Sequence, residues 1–311
     1  MHRHVHDHGD RLRGDRRRLA AALALVAAFM AVEVVAGLLA DSLALLADAG
    51  HMLGDAASLG LALFAAWIAA TPATPQRSFG YRRAEILAAL ANGAALVAIA
   101  IWIFVEAAAR FRDPAEPLGG WIVVVGVLGI AVNLAAAAVI AGGRERSLNL
   151  QAAFRHVLAD LAGSVGVVAA GVVVLTTGWR YADPVAAVAI GLLVVASSWS
   201  VLRDSVGVLL EATPRGVDAR EVGRAMAGHR GVREVHDLHI WTITSGFPAL
   251  SAHVLVDPAA DCHAVRRELE GMLGHRFSLT HTTLQVEHAG DPAQRVALGE
   301  PYRRRGPLGR E

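Results

Sequence analysis

Six apolar stretches, at approximately 20–40, 43–69, 84–108, 120–141, 157–177 and 184–208, constrain this chain more than any other feature. Each approaches the ~20 residues that an α-helix needs to cross the hydrocarbon core of a bilayer. With 54% hydrophobic and only 18% charged residues over 311 positions, the chain is too apolar for an ordinary soluble domain. The expected fold is therefore an α-helical membrane domain of six transmembrane helices. Arg11, Arg13 and Arg16 to Arg18 precede the first span; Arg77, Arg82 and Arg83 lie between the second and third, and Arg144, Arg146 and Arg155 between the fourth and fifth. The opposite loops carry Asp41, then Arg110 and Arg112 balanced by Asp113 and Glu116, then Arg180 with Asp183. The positive-inside bias places both termini in the cytosol, and an even number of spans agrees by putting them on one side. The basic stretch Arg11 to Arg18 leads into a long apolar span without a small-residue cleavage site, so the N-terminal segment is expected to stay attached. The net charge of +1 is uninformative about partners, and no nucleic-acid partner is expected.

Inside these spans the polar residues carry the chemistry. His51 and Asp55 lie four apart in the second span, and His156 and Asp160 repeat that spacing at the fifth. Residues four apart stack on one helix face, so each pair presents an imidazole nitrogen beside a carboxylate oxygen. Two such helices face to face supply two nitrogens and two oxygens, a tetrahedral set suited to Zn²⁺. A structural hydrogen-bond network is the other reading, but burying two carboxylates without a cation costs several kcal/mol each, whereas a divalent ion neutralises both. Glu33 and Asn133 could line the same path or bond between helices. Asp48, one turn before His51, reads as a vestibule charge, and Ser58 and Ser164 read as packing residues.

The composition changes after Glu211-Ala212-Thr213-Pro214, and soluble-domain patterning runs to about residue 289. Val217 to His229 reads as an amphipathic helix, Val232 to Thr244 and Leu250 to Val256 as strands, Asp261 to Gly274 as a helix, and Thr280 to His288 as a closing strand. The order α-β-β-α-β predicts a small α+β domain with helices on one face of its sheet, modest enough in core that oligomerisation would help it. The expected division is a His/Arg-rich cytosolic tail (1–19), the membrane domain (20–210), the cytosolic domain (211–289) and a disordered tail (290–311). Histidines 2, 4, 6 and 8 could capture metal loosely ahead of the membrane site, or simply be solvated. The single cysteine, Cys262, excludes a disulfide framework and reads as inert.

A metal ligand must be deprotonated, so protons compete with the ion, and imidazoles titrate near neutral pH. The expected activity is transport, with export of Zn²⁺ driven by exchange for protons. No phosphate loop of the type G-x-x-x-x-G-K-[ST] is present, which argues against a primary pump. A membrane-embedded zinc hydrolase would carry His-Glu-x-x-His and an open ligand position, and neither is offered here. A metal-sensing membrane protein would need an output domain, and none is recognisable.

Three longer motifs give a resemblance. Ser42 to Met52 (SLALLADAGHM), Phe79 to Leu87 (FGYRRAEIL) and His236 to Trp241 (HDLHIW) resemble the cation diffusion facilitator family over about residues 20–288. The two His-x-x-x-Asp pairs are similar to those of its zinc-exporting branch, and cadmium would be a second substrate. The resemblance implies homodimerisation, proton antiport and a cytosolic domain similar to copper metallochaperones that binds further, regulatory zinc. In that domain His236, His253 and Glu287 match ligand positions, His263 lies near one, and Gln285 stands where some bacterial members have histidine. Strand alternation points His253, Gln285 and Glu287 away from the core, and a regular strand would put His236 and His239 on opposite faces. Arg83 and Glu211 match a basic and acidic pair that couples the domains, the alternative being a snorkelling arginine and a helix-end glutamate. Two departures follow: Thr71 to Ser78 has no histidine for the loop metal site of some relatives, and the loop after the fourth span lacks the His-rich insertion of many eukaryotic members. Alanine- and arginine-rich composition suggests a bacterial inner membrane.

Overall fold

The structure, a computed structural model, describes residues 4–141, 148–289 and 302–303. Its helices and strands fall into two compact units, Met1–Phe64 with Ala88–Leu202, and Ala65–Leu87 with Arg203–Glu311. The long helices are α1 (His4–Leu39), α2 (Leu43–Ala69), α3 (Ala84–Arg112), α4 (Gly119–Ala141), α5 (Leu148–Thr177) and α6 (Ala182–Leu209). Among the described residues six segments of these helices are long and apolar enough to cross a membrane.

Two helices begin earlier than hydropathy suggests. α1 starts at His4 and takes in most of the His/Arg-rich segment expected to be a tail. No proline interrupts it, and an established helix extends at one hydrogen bond per residue. α5 starts at Leu148 rather than near 157, so His156 and Asp160 stand well inside a helix and not at its end. The N-terminal histidines lie outside the described residues and side chains.

In the first unit α4 shows how the helices sort their faces. Ile122, Gly126, Gly129, Asn133, Ala136, Ala137 and Ile140 are buried at helical spacing, while Trp121, Val124, Val127, Leu128 and Leu134 on the other side are exposed. A stripe of small residues inward and large apolar ones outward suits a helix packed on helices and facing lipid. α4 packs on α5 and α1. Phe29, Leu43, Leu45, Ile103, Ile122, Val167, Ile190 and Val194, drawn from all six helices, form one core.

One buried ionic cluster ties three helix ends of this unit. Asp183, at the start of α6 and wholly buried, accepts hydrogen bonds from the Ser42 hydroxyl (2.5 Å) and the backbone N–H groups of Leu43 (2.7 Å) and Ala44 (3.3 Å). These are the first N–H groups of α2, which have no partner within the helix. Arg110 near the end of α3 reaches Asp183 at 3.5 Å and Asp41 at 2.7 Å, and donates to the Asp41 carbonyl at 2.6 Å. By sequence Asp183 is only a loop charge.

The second unit holds a sheet of order β3-β2-β1-β4, built from β1 (Val232–Thr244), β2 (Phe247–Val256), β3 (His281–His288) and β4 (Tyr302–Arg303). Helices α7 (Ala219–Ala227) and α8 (Cys262–Phe277) start at the aspartate caps Asp218 and Asp261. β1 and β2 form an antiparallel hairpin whose tight turn uses Gly246 at φ +71°; β2 and β3 run parallel, joined through α8. Leu250, Ala252, Val254, Val256, Leu284 and Val286 pack with Val222, Met226, Leu269 and Leu273, so the expected α-β-β-α-β domain forms with the expected core faces. β4 is an addition: it pairs with Glu234 and Val235 inside the tail expected to be disordered.

Candidate metal centres

In α2, His51 Nε2 lies 3.7 Å from Asp55 Oδ2, its neighbour one turn on, and 3.7 Å from Asp160 Oδ1 of α5. One ligand atom from each of the three can be chosen so that all lie within 4.8 Å of one another. A tetrahedral Zn²⁺ with ligands at about 2.0–2.2 Å sets neighbouring ligand atoms about 3.3–3.6 Å apart, close to the observed spacing. His156 is on α5, one turn before Asp160; its side chain lies outside the described ones. The structure thus brings three of the four sequence-predicted ligands together from two facing helices.

Two further carboxyl groups surround this centre. Asp48 and Glu33 of α1 are both buried, so Asp48 is no vestibule charge. α5 approaches Asp48 through Gly163, where a Cβ would stand 3.1 Å from Asp48 Oδ1; a larger residue would crowd the carboxylate. Asn133 donates to the Ser164 hydroxyl at 3.2 Å, an α4–α5 bond, so these two join helices. Ser58 bonds the Asp55 carbonyl within its own helix.

The cytosolic cluster differs from the expected one. His236, Asp237 and His253 bring ligand atoms within 4.8 Å of one another, with the two imidazole rings 5.3 Å apart. His236 pairs with His253 across β1 and β2, and His239 with Ser251, so a bulge between them puts His236 and His239 on the same face. The bulge contains Asp237 at φ +49°, a conformation that aspartate tolerates better than most residues. Regular alternation hides it, which is why Asp237 escapes the sequence reading. Glu287 and His263 do not join. Glu287 lies opposite Leu255, two residues along β3 from the partner of His253, and accepts a hydrogen bond from Gln285. His263 sits in the first turn of α8, where its N–H and that of Ala264 bond the Asp261 side chain. Those bonds, led by Ala264, hold the Asp261 carboxyl below its usual range.

Arg83 and Glu211 do meet, with Nη2 and Oε1 3.1 Å apart, linking the segment before α3 to the one after α6. Glu85 accepts from Thr244 and Ser245 at 2.8 and 2.9 Å, a link that sequence inspection misses.

Six helices long and apolar enough to cross a bilayer and a small α+β domain define a multi-pass membrane protein, and His51, Asp55 and Asp160 cluster among its helices. The cation efflux transmembrane domain matches residues 19–210, and the cytoplasmic domain of cation efflux proteins matches residues 214–289. The chain belongs to the cation efflux family, whose members are transporters and not enzymes. It is 37% identical over 303 residues to the cadmium, cobalt and zinc/H(+)-K(+) antiporter of Bacillus subtilis (strain 168), covering 96% of each chain. To the metal cation efflux system protein CzcD of Cupriavidus metallidurans it is 43% identical over 287 residues, 92% of this chain and 90% of that one. Zinc transporter ZitB of Escherichia coli (strain K12) is 42% identical over 274 residues, 88% of this chain and 87% of that one. A solved structure, the metal-bound C-terminal domain of the C. metallidurans CzcD transporter, aligns with 43% identity over 23% of this chain and 99% of that chain, with a TM-score of 0.22.

Proposed function

We propose that this chain exports Zn²⁺, with Cd²⁺ as a second substrate, from the cytosol in exchange for protons, and that His51, Asp55, His156 and Asp160 hold the ion. The observation that carries this reading is the convergence of His51, Asp55 and Asp160 from two helices on one point. Asp55 and Asp160 together bring two negative charges, which one divalent ion neutralises. An imidazole and two carboxylates are also the groups that protons reload when the site faces an acidic compartment, so metal release and proton uptake occur at the same atoms. A zinc hydrolase is excluded by the family, whose members are transporters. The relatives support the cargo, since zinc or cadmium stands in the names of two of them. In proteoliposomes, zinc uptake should rise with an inward-facing proton-loaded lumen and should move protons outward; flux indifferent to the pH gradient with no proton movement would sink the antiport.

The protein is placed in a bacterial inner membrane with both termini cytosolic, as a homodimer through its α+β domain. Positive loops on one side and the cytoplasmic-domain match support this placement. A second, regulatory Zn²⁺ binds there at His236, Asp237 and His253. In equilibrium dialysis of the full chain, His253→Ala should lose one Zn²⁺ per chain while Asp160→Ala loses a different one. Additive loss in the double variant is expected, and an unchanged count in His253→Ala would remove the cytosolic site.

The Arg83–Glu211 pair couples the cytosolic domain to the transport helices. Both side chains keep appreciable exposure, so the pair itself contributes only about 0–1 kcal/mol and its loss should leave the fold intact. Arg83→Ala is expected to lower zinc flux several-fold without lowering the melting temperature; equal flux in variant and wild type would reduce the pair to surface packing.

A further inference from the structure

The second unit contains an open cleft of about 800 Å³ between the segment joining α2 to α3 and the β1–β2 hairpin. Arg77, Arg82 and Arg83 line it together with Ser78, His239 and Glu211. Its charge is one-sided: from Thr71 to Arg83 the chain carries no carboxylate, and Glu211 is already engaged by Arg83. Arg77 and Arg82 make no ion pair among the described residues. Each is instead laid over a ring, Arg77 over Tyr81 at 4.7 Å and Arg82 over Phe247 at 5.0 Å. A stacked guanidinium keeps its N–H edge available, and that planar fork matches the oxygens of a phosphate group. The Phe247 ring is itself held: it meets His281 edge to face at 5.1 Å, and His281 meets Phe79 at 6.1 Å. The Arg82 fork is thus pre-positioned.

We propose that this cleft is a binding site for a phosphate-bearing anion, with Arg77 and Arg82 as the contacting residues. A cation is the wrong occupant, because three arginines against one glutamate repel it. The segment connects two membrane spans, and Trp67 stands exposed near the end of α2, as aromatic residues do at headgroup level. The phosphate can therefore belong to an anionic phospholipid headgroup, for which basic pockets on the cytosolic side are suited, or to a soluble phosphate compound. The size also fits, since ligand clefts commonly enclose ~300–1,000 Å³.

The full chain in a neutral detergent would be titrated with dihexanoyl-phosphatidylglycerol, dihexanoyl-phosphatidylcholine and pyrophosphate, following binding by thermophoresis and native mass spectrometry. Saturable binding of one anion per chain is expected, at least about tenfold weaker in Arg77→Ala/Arg82→Ala and little changed in Arg112→Ala, an exposed arginine outside the cleft. Phosphatidylglycerol bound and pyrophosphate refused identifies a lipid headgroup; both bound identifies the phosphate alone as sufficient. Arg82→Gln serves if the double variant does not stay monodisperse, with a loss of several-fold expected. Equal binding in the cleft variants and wild type, an equal loss in Arg112→Ala, or no saturable binding overturns the site. No step uses zinc, so the outcome is independent of the transport reading.

Discussion

Asp160→Ala should abolish zinc flux into proteoliposomes under an imposed pH gradient, by at least about 100-fold relative to wild type. Changing a group that only supports a metal ligand typically costs 10–100-fold in affinity, and Asp160 would be a ligand itself. It sits 3.7 Å from His51 and is nearly inaccessible, so water does not replace its oxygen readily. Loss of one carboxylate also leaves a dication only partly neutralised in a low-dielectric surrounding, which raises the cost of loading. Stability should be kept or improved, because removing one of two facing carboxylates relieves repulsion in the empty state. Asp160→Asn, which preserves shape and removes charge, should behave almost as badly. Flux retained in either variant would mean that the His/Asp pairs are structural, and the proposed transport site would fall with it.

Local patterns were the legible part of this chain. Apolar runs near twenty residues announce helices in lipid, and i, i+4 spacing places His51 with Asp55 on one face without knowledge of any neighbour. Strand alternation likewise assigns Leu250, Ala252, Val254 and Val256 to a core. What depends on a partner far along the chain was not legible. Asp237 enters the cytosolic cluster through a bulge that exists only because β1 must stay in register with β2 on both sides of it. Glu287 matches a family position yet points its oxygen at Gln285. Arg83 and Glu211, 3.1 Å apart, are separated by 128 residues, and in the sequence only the family resemblance links them. Asp48 reads as a vestibule charge because hydropathy cannot tell a water-facing aspartate from a buried one.

Asp183 is the sharpest of these cases and supports the second large prediction. A carboxylate with no solvent exposure, taking bonds from Ser42, Leu43 and Ala44 and facing Arg110, closes the N-terminus of α2 from a helix 140 residues away. The donors at a helix start carry partial positive charge, so an anion is the favoured cap. Ser42 completes it, since its hydroxyl donates to Asp183 and accepts from the Leu45 N–H at 3.3 Å. In Asp183→Ala, two backbone donors and the buried side of Arg110 would lose their acceptor together. Breaking a buried charged pair by removing one partner costs about 3–5 kcal/mol, so the melting temperature of the detergent-solubilised protein should fall by on the order of 10 °C. Asp183→Asn retains an acceptor oxygen without the charge and should fall less. The two buried aspartates are then distinguished by opposite behaviour: Asp160→Ala removes transport and spares the fold, whereas Asp183→Ala weakens the fold and leaves the ligand set in place. Wild-type melting of Asp183→Ala would mean that Arg110, held by Asp41 and Glu106, needs no third acid, and that water satisfies the start of α2.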